Sequence, residues 1–120
     1  MTLEAFLQQL RSDPKSITFD DTMAVIADNY DYTPTAFRNG NQENAAGTNE
    51  GSCKILAFGL LQQLTLEQTL QCFGDYYRID VLQNPGTDSH QNIRQFLING
   101  WDGVKFEGAV LSAKKLATAS

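Results

Sequence analysis

A polar, glycine-punctuated stretch, Phe37-Arg38-Asn39-Gly40-Asn41-Gln42-Glu43-Asn44-Ala45-Ala46-Gly47-Thr48-Asn49-Glu50-Gly51-Ser52-Cys53-Lys54, runs straight into the most apolar segment of the chain, Ile55 to Leu64. That junction constrains the fold more than any other feature. Ile55, Leu56, Phe58, Leu60 and Leu61 cover a helix nearly all round, so the spacing predicts a central, buried helix. Asn49 is the predicted N-cap. The polar stretch before it reads as a long loop, and long loops inside compact domains are commonly functional. A loop delivered onto a helix start is a candidate ligand site, because the first N–H groups of a helix lack partners within it.

The rest of the chain supplies a single core around that helix. At 120 residues with 42% apolar content, it has the size and balance of one globular domain. A net charge of −5 argues against a nucleic-acid or anionic-lipid surface, which needs clustered Lys and Arg. The adjacent pair Lys114-Lys115 is too small to change that reading. No apolar run is long enough to span a membrane. The start, Met1-Thr2-Leu3-Glu4-Ala5-Phe6, lacks the basic and apolar regions of a secretory signal. Cys53 and Cys72 form neither a disulfide framework nor a CxxC pair, so the expected compartment is the cytoplasm.

Periodicity predicts about five helices. Leu3, Phe6, Leu7 and Leu10 share a face behind a Thr2 cap, and Pro14 ends that helix. Thr18 and Asp21 resemble a capping box before Phe19, Met23, Ile26 and Tyr30. Thr65 and Gln68 form another, opening a helix that carries Leu66, Leu70, Phe73 and Tyr77. The short link near Leu64 predicts an antiparallel hairpin with the central helix. Asp88 or Ser89 is the expected cap of a helix with Ile93, Phe96 and Leu97, ended by Gly100. Two short strands are expected, one within 31–38 and one at Val104-Lys105-Phe106-Glu107. If paired, they close the helices into one α+β, mainly α, domain over 1–111. Residues 112–120 read as a fraying tail.

Three runs carry a family resemblance: Asn49 to Ile55, Cys72 to Leu82, and His90 to Phe96 followed by Gly100-Trp101. With them, nearly the whole chain resembles the HopJ (HopPmaJ) type III effector family. The resemblance implies a small bacterial protein in a family named after a plant-pathogen effector, with no enzymatic activity attached to it. Type III signals sit in disordered, Ser-rich, acid-poor N-termini. Here the first ten residues read as a packed helix, so cytoplasmic residence is expected, with type III secretion as the alternative.

The candidate ligand residues are Arg38, Asn44, Asn49, Glu50, Ser52, Cys53, Lys54, His90 and Arg94. Gly47 to Lys54 fails as a Walker loop, since Cys53 precedes Lys54 and Ile55 follows it. Free N–H groups and Ser52 remain a possible cradle for an anion or carboxylate, with Arg38 as a bidentate partner. Glu50 and Lys54 have the i,i+4 spacing of a surface ion pair. A helix start beside Lys54 is expected to lower the Cys53 thiol pKa. His90 is the sole histidine in the sequence and therefore the available base. Asn44, Asn49 or Asp88 would orient it. Arg94 lies one turn beyond His90. No metal site or cofactor is expected, because one histidine gives no recognisable ligand spacing.

Two function classes follow. One is a binding protein for a small molecule or a protein partner, using the polar loop and the His90–Trp101 segment. The other is a small enzyme, a hydrolase using Cys53 or Glu50 with His90. They are separated by whether Arg38, Glu50, Cys53 and His90 line one pocket.

Overall fold

The computed structural model describes residues 2–114. Five α-helices run in the order α1 (Leu3–Ser12), α2 (Phe19–Asn29), α3 (Glu50–Leu61), α4 (Leu66–Gln71) and α5 (Gln91–Asn99). A π-helical segment, Tyr76–Val81, lies between α4 and α5. The chain is α+β and mainly α.

Local chemistry explains three of the helix starts. The Thr2 hydroxyl accepts from the Ala5 N–H at 3.0 Å and opens α1. Thr18 and Asp21 exchange reciprocal bonds of 3.0 and 3.1 Å at α2. Thr65 and Gln68 do the same at 3.1 and 3.0 Å at α4. Each cap satisfies a donor that the helix itself leaves open, and each contributes about 1 kcal/mol.

The expected count of two strands is corrected to five among the described residues. They are β1 (Tyr30–Tyr32), β2 (Phe37–Asn39), β3 (Gln42–Asn44), β4 (Val104–Phe106) and β5 (Leu111–Ala113). The Val104 strand pairs antiparallel with the end of the 31–38 segment, Phe37 opposite Phe106. β2 also pairs with β3 across the turn Gly40-Asn41, giving a sheet of order β3-β2-β4. A separate ladder joins β1 to β5, with Tyr30 opposite Ala113. The long loop is thereby shortened: its first part is a hairpin, and only 45–49 links that hairpin to α3. Ser112 and Ala113, expected to fray, belong to β5. Residues 115–120 of the expected tail lie outside the described residues.

The core gathers Phe6, Leu10, Ile17, Val25, Ile26, Ile55, Leu56, Phe58, Leu70 and Phe96, each no more than 2% exposed. Phe58 of α3 meets Phe6 edge-on at 5.8 Å and Tyr30 at 6.1 Å. Burial of one such side chain stabilises by about 1.5–3 kcal/mol. The central position of α3 holds, but not all round: Leu60 and Leu61 near its C-terminus are 46% and 53% exposed.

The single helix expected from Leu66 to Tyr77 is broken. α4 stops at Gln71, and Gly74 follows with φ +63. A Cβ at Gly74 would come within 2.6 Å of the Phe19 backbone nitrogen, so glycine is required both for the turn and for the approach to α2. The chain then widens into the π-helix, with the Leu82 N–H bonded to the Tyr77 carbonyl at 3.0 Å. Arg78 fastens this segment to its neighbours. It donates to the Pro14 and Ile17 carbonyls and to the Gln71 side chain, and has a looser contact of 3.9 Å with Asp75.

Candidate ligand cleft

α3 and α5 begin differently from the other helices. Asn49 occupies the N-cap position of α3 with φ 48 and ψ 47, and its side chain does not cap the helix. His90, rather than Asp88 or Ser89, occupies the N-cap position of α5 with φ 53 and ψ 53, also without a side-chain cap. Left-handed backbone at a non-glycine residue is costly, although asparagine and histidine bear it better than most. Both starts open onto one cleft of about 430 Å³.

Asn49, Gly51 and Ser52 supply one side of that cleft, and His90, Gln91, Asn92 and Ile93 supply another. Phe19, Phe73 and Tyr76 form an aromatic wall, and Gln42 reaches in from β3. Tyr76 stands edge-on to Phe19 at 5.0 Å, and its ring lies 5.2 Å from the His90 ring. The π-helix therefore presents two groups to His90: Tyr76 against its ring, and Asp80, whose Oδ2 lies 3.0 Å from His90 Nε2. A Cβ at Gly51 would meet the Phe19 ring at 2.9 Å, so glycine lets that ring lie against the first turn of α3.

Beneath the cleft lies a buried amide network. Asn39 Nδ2 donates to the Asn92 carbonyl at 2.7 Å and to Asn92 Oδ1 at 3.2 Å. Asn44 Nδ2 donates to Asn92 Oδ1 at 3.2 Å, and Asn92 Nδ2 donates back to Asn44 Oδ1 at 2.9 Å. Asn49 Nδ2 donates to the same Asn44 oxygen at 2.7 Å. The network ties the β2–β3 hairpin to both helix starts. Asn39 Oδ1, wholly buried, has no partner, so the network is one donor short.

Of the residues singled out from the sequence, Asn49, Ser52 and His90 line the cleft, and Asn44 supports it from below. The others lie elsewhere. Cys53 is 1% exposed and its thiol donates to the Thr35 carbonyl at 3.7 Å. Burial pushes that thiol pKa up, outweighing the pull of Tyr32, Thr35 and Lys54. The expected lowering at the helix start is thus reversed. Lys54 makes no ion pair with Glu50. Its ammonium sits 4.7 Å above the Tyr32 ring. The Tyr32 hydroxyl is buried without a hydrogen-bond partner, and burial, with Glu50 and Cys53 beside it, raises its pKa above the usual phenol range.

Arg38 lies on β2 between Glu43 and Lys105 of the neighbouring strands, and its Nε donates to the Gly40 carbonyl at 3.1 Å. It borders a hollow of about 650 Å³ that shares no lining residue with the cleft. Arg94 fastens the link between the π-helix and α5, bonding the carbonyls of Asp80, Asn84 and Ser89 and the Thr87 hydroxyl. Arg38, Glu50, Cys53 and His90 do not line one pocket. Among the described residues, no group of three or more His, Cys, Asp or Glu could hold a metal ion.

The sequence reading missed Phe19, Phe73, Tyr76 and Asp80, and it held Gln42, Gln91 and Asn92 only as members of the polar loop and the His90–Trp101 segment, not as singled-out residues. Asp80 and Tyr76 fall inside the run Cys72–Leu82, and Asn92 inside His90–Phe96. A search for polar residues in those runs finds Asp80 and Asn92. Phe19 and Phe73 carried only a core signal.

The fold and this cleft define a small α+β domain in which two uncapped helix starts meet a histidine–aspartate pair. The HopJ type III effector protein model matches residues 3–111, and the chain belongs to that family. It is similar to the crystal structure of the unknown-function protein VPA0580, with 57% identity over 95% of each chain and a TM-score of 0.94. No curated protein matches it. Among the described residues, no helix is long and apolar enough to cross a membrane.

Proposed function

We propose that this chain is a binding protein for a small anionic molecule, held in the cleft where α3 and α5 begin. One observation carries the reading: two helix starts without side-chain caps open onto the same 430 Å³ cleft, beside His90. Uncapped N–H groups and the positive ends of two helix dipoles favour a phosphate or carboxylate. Ser52 adds a hydroxyl, while His90 Nε2 is taken up by Asp80. Since the lining contains no Lys or Arg, recognition rests on directed N–H donors rather than on a broad positive field.

The hydrolase alternative loses Cys53 as its nucleophile, because that thiol is buried, raised in pKa and bonded to Thr35. Cytoplasmic residence in a bacterium agrees with two free, buried cysteines. The family name leaves type III export as the other possibility. A net charge of −5 disfavours nucleic acid as partner.

Thermal denaturation with inorganic phosphate, sulfate and acetate tests the reading. A ligand that binds only the folded chain raises the melting temperature by mass action. At least one anion is expected to do so. Asn49→Asp, which sets a carboxylate beside the α3 N–H groups, is expected to weaken that anion at least tenfold while circular dichroism stays unchanged. An anion series without any shift, or equal binding by Asn49→Asp, overturns the proposal.

A further inference from the structure

We infer that the occupant is a nucleoside monophosphate or a close chemical equivalent: a small anion carrying a flat heteroaromatic ring and hydrogen-bond donors. This rests on the anion reading above and goes further by naming the rest of the ligand.

The cleft is larger than an inorganic anion needs. At about 430 Å³ it lies within the range of small-molecule sites, about 300–1,000 Å³. Its lining is mixed in chemistry. One wall is aromatic, with Tyr76 packed between Phe19 and His90 yet still 43% exposed. An exposed tyrosine ring held in place by two others is a stacking platform, and every nucleobase has a face to set against it.

The rest of the lining includes carboxamides with unequal commitments. The Asn92 side-chain carbonyl accepts from both Asn39 and Asn44, and its Nδ2 donates to Asn44. Asn49 uses its Nδ2 on Asn44, and Gln91 uses its Nε2 on the Asp88 carbonyl. Among the described residues, that leaves the side-chain carbonyls of Gln42, Asn49 and Gln91 as acceptors at the cleft. Sulfate and acetate have no donor to give them, and inorganic phosphate has only its own hydroxyl. The hydroxyls and ring or exocyclic N–H groups of a nucleoside supply donors, while its phosphate takes the N–H groups of the helix starts.

Titration calorimetry with the four nucleoside monophosphates, their nucleosides, inorganic phosphate and tryptophan decides the matter. At least one monophosphate is expected to bind tenfold or more tightly than phosphate and than its own nucleoside. Tyr76→Leu should lose about tenfold toward that monophosphate and nothing toward phosphate, and Tyr76→Phe should retain the affinity. Phosphate binding as tightly as every monophosphate overturns this inference and leaves the anion reading standing. A nucleoside binding as well as its monophosphate overturns both, as does an absence of binding throughout. Tryptophan matching the best monophosphate overturns the assignment of ligand class. Tyr76 is exposed enough that Tyr76→Leu is expected to fold, and its unchanged phosphate affinity is the control.

Discussion

α1, α2 and α4 start on threonines that complete their first turns, whereas α3 and α5 start on left-handed Asn49 and His90 that do not. The capped starts close donors within the fold. The uncapped ones leave donors open, at a backbone cost, and both face one cleft. Strain of that kind, kept in place by surrounding structure, is a pointer to a site. Here the surrounding structure is the amide network, which holds Asn49 and Asn92 from the hairpin side. Stability and availability for binding are thus divided between two sets of helix ends in one small domain.

The comparison breaks most severely at Asn92. Asn92→Ala removes the side chain on which Asn39 and Asn44 depend, leaving buried amide groups without partners at about 1–3 kcal/mol each. Chemical denaturation is expected to show a loss of about 2–4 kcal/mol in all. A loss below about 1 kcal/mol would mean that the network does not hold the helix starts.

The two thiols sharpen it next. Cys53 lies in the first turn of uncapped α3, and Cys72 follows capped α4. Burial raises both, Cys72 to about 12 from an ordinary value of 9.0. Both are acids favoured in their neutral form by folding. The contribution of Cys72 is therefore complete below pH 9.0 and is lost as pH climbs toward about 12, and that of Cys53 is lost in the same direction. For Cys72 stability should fall above that onset by about 1.4 kcal/mol per pH unit. Alkylation of the native chain near neutral pH should be slow at both cysteines. Rapid labelling of Cys53 alone would show that the field of α3 acts on its own thiol rather than on the cleft.

The smallest effect is the most direct contrast. Thr18→Ala is expected to cost about 1 kcal/mol by denaturant midpoint, because it opens a capping box. Asn49→Gly should change stability by less than about 0.5 kcal/mol, since glycine relieves the left-handed backbone while giving up one hydrogen bond. Equal losses in the two variants would erase the distinction between the two kinds of helix start.

The capping boxes at Thr18 and Thr65 were legible in the sequence because every interaction in them spans three residues. The family was legible for a similar reason, in three contiguous runs. The pairing of Val104–Phe106 with the end of 31–38 could be stated as a condition, but its register could not, since nothing local aligns Phe37 with Phe106. The β2–β3 hairpin had a signal in Gly40-Asn41, a dipeptide suited to a two-residue turn. Three-residue strands of mostly polar side chains hid it, because no alternation of apolar residues flanks the turn. The π-helix has no comparable signature. It is what sets Tyr76 and Asp80 against His90, and a sequence that does not reveal it leaves Cys53 as the apparent partner of the histidine. Proximity in sequence also overstated the site: Glu50, Cys53 and Lys54 turn toward Tyr32, while Gly51 and Ser52 between them turn toward the cleft.

The ladder between β1 and β5 sets a timetable for synthesis. β1 follows α2 early in the chain, yet its partners are Leu111, Ser112 and Ala113. As the chain emerges from the ribosome, α1 and α2 can form and begin to pack, but β1 waits with an open edge until about eighty further residues, through β5, have been translated. Pairing across such a separation must await loop closure and is slow compared with helix formation. β5 acts as a clasp, and the interval before it arrives is when the nascent chain offers a strand edge to its neighbours.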